Sequence, residues 1–490
     1  MKFLLPAFFV RVGHHSLRES AGLFFCVLLA ALSFTASPAR ALDDLAPATT
    51  GAEQEKKRSF STGTSLFDDA DITGGLYYFQ RDRRRYDVDE HRYMNNINHA
   101  TVQANADLVS GFLGEFIGFD FGVFGSHDIK STGSPDHEMN FFPWHNPWNP
   151  DWSKRRTRDG MSIYKALVKA KAGPIWARAG YFQPTGPTTL GVNWSIMPGT
   201  YRGVNAGADF GGLSLAVVWA DAYKSPWFKE LNSFHKNDGK ANVAHLWSGG
   251  MRYSFAQGPF VEAAYGESKG HLWNAHFKTG HTLSFGQEKA RDKLSFGYSL
   301  YLMGDNDNNA DSPNDNFAGT ASHHVLFAHY NTGLWTAKLE ATYTRAPFDS
   351  PWQVGYFAYR LTDVSGSSQG AYDTWWNARS DWNHHNEKAA FVSLERKLDD
   401  FLPIKGFYAG VGAAIGWDGE AYKTAEHFKE WAFTFEAGYV KPDGPLKDAF
   451  VKLHYTEYRN GTSKPSWYPY KNGFQSEHDF MLFMGIPFDI

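Results

Sequence analysis

The 490-residue chain is 42% hydrophobic and 17% aromatic, with 17 Trp, 24 Tyr and 40 Phe, a load that excludes a disordered chain. Its 48 Lys+Arg against 52 Asp+Glu give a formal charge of −4, which leaves no global basic field to hold nucleic acid. Beyond residue 40 no apolar run reaches about 18 residues, so a helical membrane protein is excluded as well.

Residues 1–41 read as a secretory signal peptide. Lys2, Arg11 and Arg18 supply the basic start, Ala21 to Leu32 the apolar core, and Ala39-Arg40-Ala41 the small-x-small cleavage site. The apolar core is too short for a membrane anchor. Cleavage removes four basic residues and one acidic one, leaving 449 residues with 44 against 51, a charge of −7. It also removes Cys26, the only cysteine, so the exported chain would use neither disulfides nor thiol chemistry. Residues 42–66, polar and charged, are expected to form a flexible tail.

From Ile72 onward the side chains alternate with period two. Trp335, Ala337, Leu339, Ala341 and Tyr343 share one face, opposite Thr336, Lys338, Glu340, Thr342 and Thr344. Trp247, Gly249, Met251, Tyr253 and Phe255 form another such face, and Val261-Ala263-Tyr265 and Val451-Leu453-Tyr455 oppose Glu262, Lys452 and His454. A soluble sandwich alternates too, so length and spacing must decide. These runs span about 10–13 residues, longer than the ordinary globular strand and suited to a tilted membrane crossing.

The connections alternate in length. Tight ones fall near Gly173-Pro174, Gly211-Gly212, Gly258-Pro259, Thr332-Gly333 and Gly444-Pro445; long ones cover 131–160, 183–201, 222–241, 304–319, 346–386 and 460–474. Short turn, long loop, short turn is the asymmetry of an outer-membrane barrel. About 19 strand-like segments are present, or about 18 once 354–364, inside a long loop, is set aside. The even number returns both ends of the barrel to the periplasm. The expected fold is all-β: a transmembrane antiparallel β-barrel of about 18 strands over residues 67–490, with long extracellular loops and short periplasmic turns. Phe480, Leu482, Met484, Ile486, Phe488 and Ile490 alternate to the chain end, resembling the signal read by the barrel-assembly machinery, although that signal usually ends in Phe.

Several stretches carry a family resemblance. One runs from Gly173-Pro-Ile-Trp-Ala-Arg178 through Gly180-Tyr-Phe-Gln-Pro-Thr-Gly186 to Trp194-Ser-Ile-Met-Pro-Gly-Thr-Tyr-Arg-Gly203. Others are Trp375-Trp376-Asn-Ala-Arg-Ser-Asp381 with Glu387-Lys388, Lys452 to Tyr458 with Trp467, and Phe67 to Leu76. Over about 67–490 the chain resembles the OprD-type outer-membrane porins, and among them the chitoporin-like branch. The resemblance implies a monomeric channel set in outer-membrane lipid and lipopolysaccharide, with loops folded inward to narrow the pore. It implies passive uptake of an oligosaccharide substrate, oligomers of N-acetylglucosamine; a porin for amino acids or small carboxylates is the alternative. No cofactor and no enzymatic activity are implied.

Lys165, Lys169 and Lys171 share one parity, opposite Tyr164, Ala166, Val168 and Ala170, and Arg178 follows across the Gly173-Pro174 turn. Lipid-facing Lys or Arg costs roughly 2–4 kcal/mol at mid-bilayer, so these four should line the water-filled bore as a basic ladder. Ordinary interior charge, balanced by Glu262, Glu340 and Glu436, is the other reading. Arg81, Arg83 and Arg85 form a similar set at the end of the first strand. The resemblance makes 183–202 a constriction loop bearing Gln183, Trp194, Tyr201 and Arg202. Trp144, Trp148 and Trp152, with Trp375, Arg379 and Asp381, are expected to capture sugar by stacking indole faces on pyranose rings and hydrogen-bonding the hydroxyl and acetamido groups.

Enzyme-like and metal-like patterns are weak. Asp305 to Asp311 has Ala310 at the turn position and Asn316 where a calcium loop needs Glu. His323-His324 and His384-His385 are adjacent pairs without zinc-site spacing. No GxSxG, HExxH or phosphate loop occurs, so a barrel hydrolase would need a triad assembled only in space.

Overall fold

Period-two alternation has a definite consequence once strands pair in register: all apolar side chains go to one face of the sheet and all polar ones to the other. In the computed structural model this sorting runs round a full circle. The structure describes residues 66–489, apart from 88–89, 131–140, 142–158, 287–291, 307–311, 313, 351–352, 363–367, 421–425 and 463–474. The predicted signal peptide and most of the tail lie outside the described residues, as do Trp144, Trp148 and Trp152.

Eighteen antiparallel strands build the wall. They are β1 (Asp71–Asp87), β2 (Arg92–Val109), β3 (Ile117–Lys130), β4 (Gly160–Ala172), β5 (Ile175–Phe182), β6 (Thr200–Phe210), β7 (Leu213–Lys224), β8 (Leu246–Ser254) and β9 (Phe260–Ser268). They continue with β10 (Leu272–Phe285), β11 (Asp292–Asp305), β12 (Ala321–Asn331), β13 (Trp335–Arg345), β14 (Lys388–Lys397), β15 (Phe407–Glu420), β16 (His427–Val440), β17 (Phe450–Asn460) and β18 (Glu477–Asp489). Each pairs with the next, and β1 closes on β18 from Thr73 opposite Asp489 to Arg85 opposite Glu477. Closure leaves no exposed sheet edge. The strand number agrees with the sequence reading, and residues 353–362, in the segment set aside, form no strand.

The outside is apolar and the inside polar. Trp247, Met251 and Tyr253 of β8, Val261 and Tyr265 of β9, Trp335, Leu339 and Tyr343 of β13, and Phe433 and Phe435 of β16 are exposed. Arg83, His99, Glu262, Lys278, Glu340, Glu430 and Asp479 are buried inside. In water such a surface would aggregate; against hydrocarbon it is the low-energy arrangement. No helix among the described residues could cross a membrane.

All the long connections lie at one end of the barrel, as the sequence suggested. The alternation is less regular than expected, because the β1–β2, β9–β10 and β15–β16 connections at that same end are short. β4 also breaks strict alternation. Its register with β3 shifts between Gly122 and Val123, where Tyr164 is the extra residue. Ser162 and Tyr164 are buried on one side of the bulge, and Leu167 and Lys169 on the other. The sequence reading put Tyr164 on the face opposite Lys165; the bulge turns both inward, since one inserted residue inverts the parity that follows it.

Candidate functional site

Two loops fold into the barrel and meet there. The β5–β6 connection, 183–199, lies against the wall. Gln183 Nε2 donates to the carbonyls of Tyr164 (2.9 Å) and Gly199 (3.0 Å). Thr185 N and Oγ1 donate to Asn205 Oδ1 at 2.9 and 3.0 Å, and Thr189 N donates to Ser248 Oγ at 2.7 Å. A Cβ at Gly250 would collide with the Pro187 carbonyl, and one at Gly266 with the Thr189 hydroxyl. The wall therefore carries glycine where the loop presses on it.

The second loop, 346–387 between β13 and β14, supplies a strap. Gln369–Gly370 pairs antiparallel with Leu190–Gly191 of the first loop, and Ala371 N donates to Thr189 O at 2.9 Å. Tyr201 anchors this junction: its hydroxyl donates to Gln369 O and accepts from Gln369 N, both at 2.9 Å. The strap then follows the inner wall. Asp373 pairs with Lys278 of β10 at 2.5 Å and accepts from Tyr301 OH of β11 at 3.3 Å. Tyr372 OH meets His323 Nε2 of β12 at 2.6 Å. Burial pushes the Tyr372 phenol well above its ordinary range, so it remains neutral. Further along, Trp376 Nε1 donates to Glu340 Oε2 of β13 at 2.7 Å, His454 of β17 lies 3.0 Å from Asn377 O, Arg379 pairs with Glu477 of β18, and Ser380 Oγ donates to Glu430 Oε1 of β16 at 2.8 Å.

In an 18-stranded circle β4 stands opposite β13, so the strap faces the β2–β5 wall across the bore. That wall holds the predicted ladder. Lys169 and Arg178 are direct cross-strand neighbours, as are Lys171 and Trp176. Two of the four cations are neutralised: Lys165 pairs with Asp107 at 2.9 Å and Lys169 with Asp120 at 2.8 Å. The balancing acids are thus on β2 and β3 rather than at Glu262, Glu340 or Glu436. Lys171 lies 4.1 Å from the Phe112 ring centroid and Arg178 5.7 Å from that of Trp176; neither has a carboxylate partner among the described residues. Arg81, Arg83 and Arg85 lie deep in the wall beside β18, paired with Asp479 and Glu477.

The remaining predicted residues separate. Gln183 and Tyr201 hold the first loop and its junction, and Trp194 in the same loop is half-buried. Arg202 does not belong with them. It is exposed, shares the outward parity of exposed Val204, and pairs with Asp221 at 2.7 Å on the outer surface of the barrel. Strand β6 begins at Thr200, so strict alternation already governs Arg202 and turns it away from the bore. Trp376 is buried against the wall while Trp375 is 48% exposed, and Asp381 is exposed beside Arg379. Sequence reasoning missed Tyr372, Asp373, Lys278, Glu477 and Asp479. The polar parity of β18 could have revealed the last two, but nothing in the sequence marks what the strap touches.

A closed barrel with an apolar exterior, a charged bore and two inward loops is the architecture of an outer-membrane pore. The profile of the outer membrane porin, OprD family, matches residues 67–479. The chain is 36% identical over 445 residues to the chitoporin of Escherichia coli (strain K12), covering 87% of this chain and 92% of that protein. Among solved structures, OccAB1 of Acinetobacter baumannii superimposes with a TM-score of 0.70 at 15% identity, covering 88% of this chain and 99% of that one. OpdK of Pseudomonas aeruginosa, solved with vanillate, gives 0.66 at 15%, covering 87% and 100%. The chain belongs to the OprD family of outer membrane porins. It is a channel of the bacterial outer membrane and not an enzyme.

Proposed function

We propose that this porin mediates passive uptake of chitooligosaccharides. The observation that carries the reading is the 36% identity to a chitoporin across 87% of the chain. The chemistry of the bore supports it. A neutral sugar gains nothing from a ladder of bare charges, and Lys165 and Lys169 each stand beside an aspartate. Exposed Trp375 offers an indole face, and Trp194 a second. Trp144, Trp148 and Trp152 would extend this series to the mouth. Each aromatic–sugar contact is worth on the order of 1 kcal/mol. Several weak contacts in series retain a long oligomer without stopping conduction.

A second reading, a porin for small carboxylates or amino acids, draws on one feature. Arg81, Arg83, Arg85 and Arg379 all pair with Asp479 or Glu477, which gathers four guanidiniums in one place on the inner wall. Swelling of proteoliposomes separates the two. Chitotriose entering faster than maltotriose and arginine supports the sugar reading; arginine or a small carboxylate entering fastest replaces it with the second.

A further inference from the structure

Beneath the foot of the strap, where 346–387 rejoins the wall at β14, three fully enclosed side chains converge. A ring nitrogen of His384 and one carboxylate oxygen from each of Glu387 and Glu430 all lie within 4.8 Å of one another. Glu430 comes from β16, the other two from the loop. Their surroundings hold them in place. Ser380 Oγ and Asn460 Nδ2 donate to Glu430 at 2.8 and 3.2 Å, as does Tyr458 OH, and His384 N donates to Glu387 Oε2 at 3.0 Å. His384 Nδ1 stands 3.2 Å from the same oxygen, and Phe428 packs edge-on against the imidazole with ring centroids 4.8 Å apart.

One atom is left over. Glu387 Oε1, in a residue with no solvent exposure, has no hydrogen-bond partner. Two buried carboxylates within hydrogen-bonding reach of each other cannot both remain ionised: either one holds a proton or a cation sits between them. Arg379, on the same strap, pairs with Glu477. One imidazole with two carboxylates is a borderline donor set, matched to zinc and its transition-metal neighbours and poorly matched to calcium or magnesium. A tetrahedral ion with bonds of about 2.0–2.2 Å would draw the donors to about 3.4 Å apart, a closure within reach of side-chain torsions.

We propose that His384, Glu387 and Glu430 bind a divalent transition-metal ion of the zinc class, which staples the foot of the strap to the barrel wall. The hydroxyl of Tyr458 and the amide of Asn460 then serve as the outer partners that orient a ligating carboxylate. The role is structural: the site is closed off from the bore, and the ion fixes where the strap leaves the wall.

Untagged protein, refolded and checked by heat-modifiable migration, is stripped with EDTA and titrated with zinc chloride. Bound metal is counted by mass spectrometry, and strap mobility is read as flicker of the open channel. The proposal expects about one zinc per chain, retained against millimolar calcium and magnesium, and quieter channels when zinc is present. In Glu430→Gln and His384→Gln, barrels that still migrate as folded should bind at least about tenfold more weakly. In Asn460→Ala, which removes an outer partner and no ligand, binding should weaken less. A folded wild-type barrel that takes up no zinc overturns the proposal, as does zinc bound equally well by both ligand variants.

Discussion

At the scale of single residues, pairing decides what a charge in the bore can do. Lys169 is matched by Asp120, whereas Arg178, its cross-strand neighbour, stands beside the Trp176 ring with no carboxylate partner among the described residues. Arg178→Ala therefore deletes an unbalanced cation and should shift the reversal potential in a salt gradient toward cation selectivity. Lys169→Ala should shift it the same way by uncovering Asp120. Unchanged potentials in both variants would remove these residues from the conduction path. His271, in the β9–β10 connection, titrates in the opposite sense to a paired histidine. Burial, with Lys236 adding to it, holds its pKa down at about 3 against an ordinary 6.5. The neutral ring thus contributes stability in full above pH 6.5 and loses it as the pH falls toward 3. Melting of the wild-type barrel should fall more between pH 7 and pH 5 than melting of His271→Gln; equal falls would contradict this. Much at this scale was legible from parity alone: Glu262, Lys452 and His454 were placed inside correctly. Tyr164 was not, because a bulge is a local geometric event with no composition of its own.

At the scale of elements, the strap lies inside the barrel, and Tyr201 and Asp373 hold its first part. Tyr201→Phe removes both hydrogen bonds to Gln369, and Asp373→Asn removes the ion pair with Lys278. Each variant should give a larger, noisier open conductance while the barrel still assembles, since neither residue faces lipid. Conductance indistinguishable from wild type would mean that the strap does not limit the pore. The strap is also held in costly backbone: Arg379, Ser380, Trp382 and Asn386 all have positive φ, between 28° and 65°. Such conformations persist only where the surroundings over-determine them, and here Glu477 on Arg379, Glu430 on Ser380 and the Tyr458 ring on Trp382 do so. None of this was readable in advance. The loop carries no period, and its partners lie up to 180 residues away along the chain, from Gly370 back to Leu190, so only the closed barrel brings them together. The strands were legible for the converse reason, since their pattern is local and repeated.

At the scale of the whole molecule, closure accounts for the stability of an exported chain that would hold no disulfide: every strand has two neighbours, and the apolar face meets lipid all round. The purified protein should show a β-dominated circular dichroism spectrum, migrate faster in SDS before boiling than after, and begin at Leu42. An SDS-stable trimer before boiling would refute the monomeric channel implied by the family resemblance. The most direct test of the substrate is single-channel recording with chitohexaose, maltohexaose and arginine in turn. Chitohexaose should occlude the open pore in resolved events, with shorter oligomers blocking more briefly, and Trp375→Ala should shorten each blockade by about fivefold with open conductance almost unchanged. A pore that arginine or a small carboxylate blocks, and that chitohexaose never does, would contradict the account.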